Sequence, residues 1–135
     1  MKEMTFDARL SNLDAVQEFV HTELDLTDCS MKASMQIDMA VEELFVNIAH
    51  YAYGEGKGTA VIRCGMNEAD GAFEITLSDS GIPYNPLAKE DADTTLSAEE
   101  RQIGGLGILM VKRTMDIFRY RYEDGRNITT IGKKL

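Results

Sequence analysis

The stretch from Gln36 to Tyr53, QIDMAVEELFVNIAHYAY, decides the fold because it carries two faces of one helix. Glu43, Asn47 and His50 recur three and four positions apart, so a carboxylate and a carboxamide project side by side from one edge of the helix. A neighbouring face is apolar at the same spacing, which predicts a helix packed on a core. The residues of this apolar stripe are Ile37, Ala40, Val41, Leu44, Ile48 and Ala52.

Length and composition predict one folded domain over residues 1–135, with 44% hydrophobic and 27% charged residues. The net charge of -9 argues against nucleic acid as the main partner, because phosphate binding needs a basic surface, and suits a basic protein partner better. The N-terminus has no apolar run typical of a signal peptide, and no segment has membrane-spanning length. We therefore expect a cytoplasmic protein that does not act on membranes.

Hydrophobic periodicity and turn residues predict an α+β fold, a two-layer sandwich with helices on one face of a mostly antiparallel mixed sheet. Ser11 and Asn12 are expected to cap the first helix, and the polar segment 80–103 is expected to form a long lid. The predicted elements are a strand over 4–10, a helix ending near 26, a helix from 31 to before 54, a hairpin over 59–66 and 72–79, a helix over 108–116 and a hairpin over 117–122 and 127–133.

Two further motifs stand at the ends of predicted elements. Asp79 closes a strand in which Phe73, Ile75 and Leu77 alternate, so the period of two places its carboxylate on the same inward side, and Gly81 follows in a D-x-G turn. An inward carboxylate needs a donor, and the exocyclic amine of adenine is a suitable one. Each motif alone is common: a Glu–Asn pair is most simply a solvated helix edge, and D-x-G is a frequent turn.

A glycine-rich segment, Gly104-Gly105-Leu106-Gly107, directly precedes the last predicted helix. Glycines expose backbone N–H groups and a helix N-terminus adds partial positive charge, so this is a candidate phosphate cradle. It is not a Walker A loop, because the GxxxxGK[ST] pattern is absent. Glycines before a helix often serve packing only, so the segment gains meaning from its order after the other two motifs.

Together, Glu43-x-x-x-Asn47, Asp79-x-Gly81, a lid and GGLG resemble the N, G1 and G2 boxes of the GHKL ATPase superfamily, which includes gyrase and the ATP-binding domains of histidine kinases. The resemblance is closest to the small serine/threonine kinases that act as anti-sigma factors in bacteria, and it runs from about Met4 to Lys133. The segments that carry it are EELFVNIAHYAY, DSGIPYNP, ERQIGGLGILMVKRTMD and YEDGRNITTI.

This resemblance implies the Bergerat fold, with ATP held between the long helix, the sheet edge and the lid. It implies Glu43 as the catalytic base for a substrate hydroxyl and Asn47 as a ligand of Mg²⁺. Asp79 would bind adenine, and Gly81 would allow the base to lie close. The remaining nucleotide-binding residues implied by the resemblance are Gly104, Gly105, Leu106 and Gly107.

The implied function is an ATP-dependent serine/threonine kinase that acts as an anti-sigma factor and phosphorylates an anti-anti-sigma antagonist. Its partners would be a sigma factor and that antagonist, and a homodimer is expected by resemblance. Relatives often carry a basic residue just before the second glycine box, where this chain has Arg101 nearby and Ile103 closer to the expected register. A nucleotide-dependent binding protein without phosphotransfer therefore stays as the alternative, which the retained Glu43 disfavours.

Overall fold

The computed structural model describes residues 1–88 and 105–135, except for the side chains of residues 105 and 106. Its five strands form one sheet in the order β1-β2-β3-β5-β4. The elements in chain order are β1 (Lys2–Asp7), α1 (Leu13–Leu24), α2 (Met31–Asn47), β2 (Thr59–Asn67), β3 (Ala72–Asp79), α3 (Gly105–Thr114), β4 (Ile117–Glu123) and β5 (Arg126–Lys134).

The predicted α+β class is confirmed, but the sheet is antiparallel where a mixed sheet was expected. Each of the four strand pairings in the described part of the chain is antiparallel, so the expected mixed sheet has no parallel pair there. The reason is the hairpin of β4 and β5, which turns at Asp124 and Gly125, both with positive φ, and returns β5 antiparallel to β3.

The core lies between the helices and one face of the sheet. Alternate residues of β2 and β3 turn towards the helices, and the apolar stripe predicted for α2 is buried apart from Ile48, which is half-buried. Phe45, also fully buried, lies outside the predicted stripe. Further core residues are Val16, Val20, Leu24, Ile62, Ile75, Leu77, Ile108, Val111 and Ile131.

The long helix begins where it was predicted because Ser30 caps it, its hydroxyl accepting the Ala33 N–H at 3.1 Å. The helix then continues as a π-helical turn over Ile48–Ala52. Asn12 is the N-cap residue of α1, as predicted, but its side chain does not cap the helix. It donates its amide to the Asp7 carbonyl at 2.9 Å, and the helix is entered through a 3₁₀ turn, Leu10–Asn12.

Two other expectations concern the segment before α3. Of the predicted lid, residues 89–103 lie outside the described part of the chain, and the described start contains a 3₁₀ turn over Pro86–Ala88. Helix α3 begins three residues before the predicted 108, because Gly107 packs against Glu43 of α2 and this contact outweighs the low helix propensity of glycine. Among the described helices, none combines the length and hydropathy that a membrane crossing requires.

Candidate active site

The end of α2 brings together the predicted acid–amide pair. The Asn47 amide nitrogen lies 3.4 Å from Glu43 Oε1, as expected for residues one helical turn apart. Asn47 is 5% exposed, whereas Glu43 is half-buried. Glu42 is exposed and lies about 100° away around the helix axis. The edge of α2 therefore presents one carboxylate and one carboxamide to the same place.

Helix α3 begins beside this pair. A β-carbon added at Gly107 would lie 2.1 Å from Cδ of Glu43, so the backbone of the first turn of α3 touches the carboxylate. Gly105 is the first residue of this helix and Leu106 is the second. Gly104 lies outside the described part of the chain. The N–H groups of a first helical turn have no intrahelical partners, and they carry partial positive charge. Glu43 thus lies where an anion would bind.

A groove of about 300 Å³ separates α2 from α3 and contains the Glu43 carboxylate in its wall. Met39 and Met110, both exposed, line its two sides. Because methionine side chains are unbranched and flexible, such a wall adapts to different apolar partners. The groove gives access to Glu43 from solvent.

Asp79 closes the inward row of β3, as the alternation predicted, and is 5% exposed. Its Oδ1 atom accepts two hydrogen bonds, from the Gly81 N–H and from the Asn127 amide nitrogen, each at 2.9 Å. The carboxylate faces a small cavity between the end of α2 and the sheet. The other residues that line this cavity are Leu44, Asn47, Ile48, Tyr51, Ala52, Ile82, Tyr84, Pro86, Asn127 and Thr129.

The cavity beside Asp79 measures about 30 Å³, which is space for about one water molecule. One wall consists of Ile82, Tyr84 and Pro86, and the ring of Tyr84 stacks on that of Tyr51 with centroids 6.5 Å apart. A purine is larger than this space, so its entry would require the cavity to widen. Apolar surroundings with one buried carboxylate and two buried amides, Asn47 and Asn127, are the kind of lining that orients a flat heterocycle.

Gly81 has a different close neighbour from the one expected. A β-carbon there would lie 2.1 Å from the carbonyl oxygen of Ala52, and the next N–H, that of Ile82, donates to the same oxygen at 2.7 Å. The glycine is needed because the loop after β3 packs directly on the end of the long helix. Close approach of a ligand at Gly81 stays a prediction.

Several residues near Asp79 were not found from the sequence. Tyr53 accepts the Ser80 N–H at 2.9 Å and donates to the Thr59 carbonyl, which joins the helix end to β2 and β3. Tyr51 and Tyr84 form the stacked pair, and Asn127 contacts Asp79. The only signal in the sequence was the position of Asn127 at the start of a predicted strand. Arg101 and Ile103 are the two positions considered for the basic residue that relatives carry before the second glycine box. Both lie outside the described part of the chain.

The side chains present are compatible with Mg²⁺ held jointly with a nucleotide. Residues 1–88 and 105–135 contain no group of three or more His, Cys, Asp or Glu side chains that could hold a metal by themselves. Mg²⁺ commonly uses one or two protein oxygens together with phosphates and water. Asn47 has a carboxamide oxygen of this kind beside Glu43.

The fold and the order of these residues define a nucleotide-binding domain of the kinase-like class. Residues 6–133 match the family model of the histidine kinase-like ATPase domain, and the chain belongs to this family. The kinship predicted from the motifs, and with it a kinase-like ATPase domain, is thereby confirmed.

Two curated relatives are similar to this chain over most of its length. The serine/threonine-protein kinase BtrW of Bordetella bronchiseptica is 22% identical over 102 residues, covering 76% of this chain and 71% of that protein. The serine-protein kinase RsbW of Listeria monocytogenes is 26% identical over 104 residues, covering 73% of this chain and 65% of that protein.

A solved structure has the same fold. The histidine kinase AdeS of Acinetobacter baumannii superimposes with a TM-score of 0.52 at 12% identity, over 99% of this chain and 68% of that one. At this identity, the likeness concerns the fold alone.

Proposed function

We propose that the protein is an ATP-dependent serine/threonine kinase in which Glu43 is the general base. One observation carries this proposal: the Glu43 carboxylate lies against the first turn of α3 at Gly107. A phosphate bound by that helix N-terminus would have a proton acceptor directly beside it. The names of the two curated relatives, both protein kinases, support the same reaction.

The nucleotide would lie across the open side of α2. Its adenine would enter the cavity beside Asp79, where the exocyclic amine would donate to the carboxylate. Its phosphates would reach the N–H groups of the segment Gly104 to Gly107, with Leu106 contributing backbone only. Gly81 would keep the loop after β3 close to helix α2 and to the adenine ring.

Asn47 would hold Mg²⁺ through its carboxamide oxygen, and the ion would offset the negative charge of the phosphates. The amide nitrogen of Asn47 would at the same time donate to Glu43, as it does in the structure. The Asn47 amide would thus fix the position of the Glu43 carboxylate relative to the phosphates. This double use of one amide fits its low exposure of 5%.

The hydroxyl of a protein substrate would approach through the groove between α2 and α3. Glu43 would accept the proton of that hydroxyl as its oxygen attacks the γ-phosphate, and ADP would leave. Met39 and Met110 would contact apolar side chains around the phosphorylated residue.

The partners would be those of an anti-sigma factor. The protein would phosphorylate a small anti-anti-sigma antagonist and bind a sigma factor in the cytoplasm, as a homodimer. The resemblance of the sequence motifs to anti-sigma factor kinases supports a regulator of this kind, the curated relatives are named as protein kinases, and the net charge of -9 suits protein partners better than nucleic acid. The alternative is a nucleotide-dependent binding protein that sequesters its partner without phosphotransfer.

Two measurements on the wild-type protein test the proposal. Calorimetric titration with ADP, in Mg²⁺ and in EDTA, tests binding, and incubation with γ-labelled ATP and a purified candidate anti-anti-sigma antagonist tests transfer. Label on the antagonist supports the kinase. Nucleotide binding without label favours the binding protein, and the lack of any nucleotide binding contradicts both.

A further inference from the structure

Asn127 is a buried amide with every hydrogen-bonding position used. It lies in β5 directly opposite Asp79 in β3 and is 4% exposed. Its nitrogen donates to Asp79 Oδ1 at 2.9 Å and to the Ile82 carbonyl at 2.8 Å. Its oxygen accepts the Tyr84 N–H at 3.0 Å and the Tyr120 hydroxyl. Burial raises the pKa of Tyr120, so this hydroxyl stays a donor at neutral pH.

This network allows one orientation of the amide. With nitrogen and oxygen exchanged, the oxygen would face two acceptors, Asp79 Oδ1 and the Ile82 carbonyl, and the nitrogen would face the Tyr84 N–H. Such a buried arrangement would lose three favourable contacts, since only the Tyr120 hydroxyl can also accept, and it would create repulsive ones. The amide nitrogen therefore points at Asp79 in the folded protein.

The consequence for Asp79 is a fixed carboxylate. Two donors on opposite chain segments, Gly81 and Asn127, hold the Oδ1 atom. Within the described part of the chain, no donor to Oδ2 is found, so this oxygen is the one left for a ligand in the cavity. A carboxylate fixed in this way accepts from an amino group and repels a carbonyl oxygen placed at the same point.

We infer that Asn127 is a positioning residue that sets base selectivity by holding the Asp79 carboxylate. The inference rests on the proposed function, because it takes an adenine nucleotide as the ligand. Without the Asn127 donor, the Asp79 carboxylate can rotate and bind water. The amino group of adenine then contributes less to binding, and a carbonyl oxygen at the same position weakens binding less. If Asn127 were only structural, its removal would weaken the binding of every nucleotide to the same extent.

The test compares the affinities of ADP and inosine diphosphate, whose base has a carbonyl where adenine has the amino group. The wild type should prefer ADP. Asn127→Ala should lower that preference about tenfold or more, the effect of losing one hydrogen bond to a charged group. Tyr120→Phe is the matched control, because it removes a contact of the Asn127 oxygen and keeps both donations by the nitrogen. Its preference should equal that of the wild type.

Asn127→Asp gives a second readout that does not depend on filling a cavity, since the new side chain has the same shape. At pH 8 two carboxylates would face each other and the preference for ADP should be lost. Near pH 5 facing carboxyl groups hold one proton between them, which restores an O–H donor to Asp79. The preference should therefore return on acidification in this variant, with no comparable gain in the wild type.

The outcomes are distinguishable. Loss of preference in Asn127→Ala, with its return at low pH in Asn127→Asp, supports the inference. A wild type that prefers ADP while both variants keep that preference, or lose affinity for both nucleotides equally, overturns the inference and leaves the proposed function standing. A wild type that binds neither nucleotide overturns the proposed function and the inference with it.

Discussion

The carboxylate of Glu43 touches the backbone of Gly107, although the two residues lie on different helices. The contact is so close that a β-carbon at Gly107 would lie 2.1 Å from both Cδ and Oε2 of Glu43. It brings a negative charge to the positive end of α3, and a side chain at Gly107 would displace the carboxylate. The geometry of the candidate base and of the candidate phosphate cradle is therefore coupled.

Gly107→Ala should change the free energy of unfolding by less than about 1 kcal/mol, because the new methyl group meets only the end of the flexible Glu43 side chain, which can move, and alanine has the better helix propensity. Urea unfolding of wild type and variant measures the difference. Phosphotransfer should nevertheless fall, since Glu43 must move away from the helix N-terminus.

A double-mutant cycle is the control for this clash. In a Glu43→Ala background, Gly107→Ala should be more favourable for stability than in the wild type, because the carboxylate that the methyl group meets is gone. An equal effect on stability in both backgrounds would show that the methyl group does not meet Glu43.

Asp79→Asn should weaken ADP binding at least tenfold while the fold survives. If the new amide keeps its oxygen towards Gly81 and Asn127, its nitrogen turns to the cavity and meets the adenine amine donor to donor. Calorimetry on the folded variant measures the affinity. Asp70→Asn, in the turn between β2 and β3, removes the same charge far from the cavity and should bind as wild type. Unchanged affinity in Asp79→Asn would remove this residue from the site.

Asn47→Ala should abolish the contribution of Mg²⁺ to nucleotide affinity. The predicted ligand oxygen is lost, so the affinity in Mg²⁺ should fall to that in EDTA, while the affinity in EDTA changes little. Titrations with ADP under both conditions measure this. Asn67→Ala, on β2, serves as the matched control. If Mg²⁺ strengthens binding by Asn47→Ala as much as by wild type, Asn47 is not a ligand.

Burial raises the pKa of the Cys64 thiol from 9.0 to about 11, which makes stability depend on alkaline pH. Because the folded state holds this proton more tightly than the unfolded state, the contribution is complete below pH 9 and is lost as the pH rises towards 11. The loss amounts to about 2–3 kcal/mol. Urea unfolding at several pH values should show this decline in wild type and in Cys29→Ala. A decline of the same size in Cys64→Ala would refute the assignment.

The sequence predicted those features that depend on local pattern. The start of α2 at Met31, the bounds of β3 and the inward position of Asp79 all follow from periodicity and turn residues. The Glu43–Asn47 pair follows from helical spacing alone. The α+β class followed from the order of the elements.

What the sequence could not supply depends on contacts between distant segments. Asn127 meets Asp79 because β5 pairs with β3 across an intervening strand and helix, and nothing local predicts that register. The start of α3 was missed for a related reason: the contact of Gly107 with Glu43 stabilises a helical turn that glycine disfavours by itself. Glycine is required at position 81 because the Ala52 carbonyl, in the π-helical turn after α2, lies next to it. This contact could be seen only in the folded structure.

Transfer of labelled γ-phosphate from ATP to the antagonist, by wild type, Glu43→Ala and Glu42→Ala, tests the central claim most directly. Glu42 is the adjacent, exposed carboxylate and also lines the groove, so its removal matches the charge change there and leaves the contact of Glu43 with Gly107 in place. The account predicts transfer by Glu42→Ala near the wild-type rate and a fall of roughly 10²- to 10⁴-fold in Glu43→Ala, with ADP affinity retained. Equal rates in wild type and Glu43→Ala, or no transfer by a wild type that binds ADP and the antagonist, would contradict it.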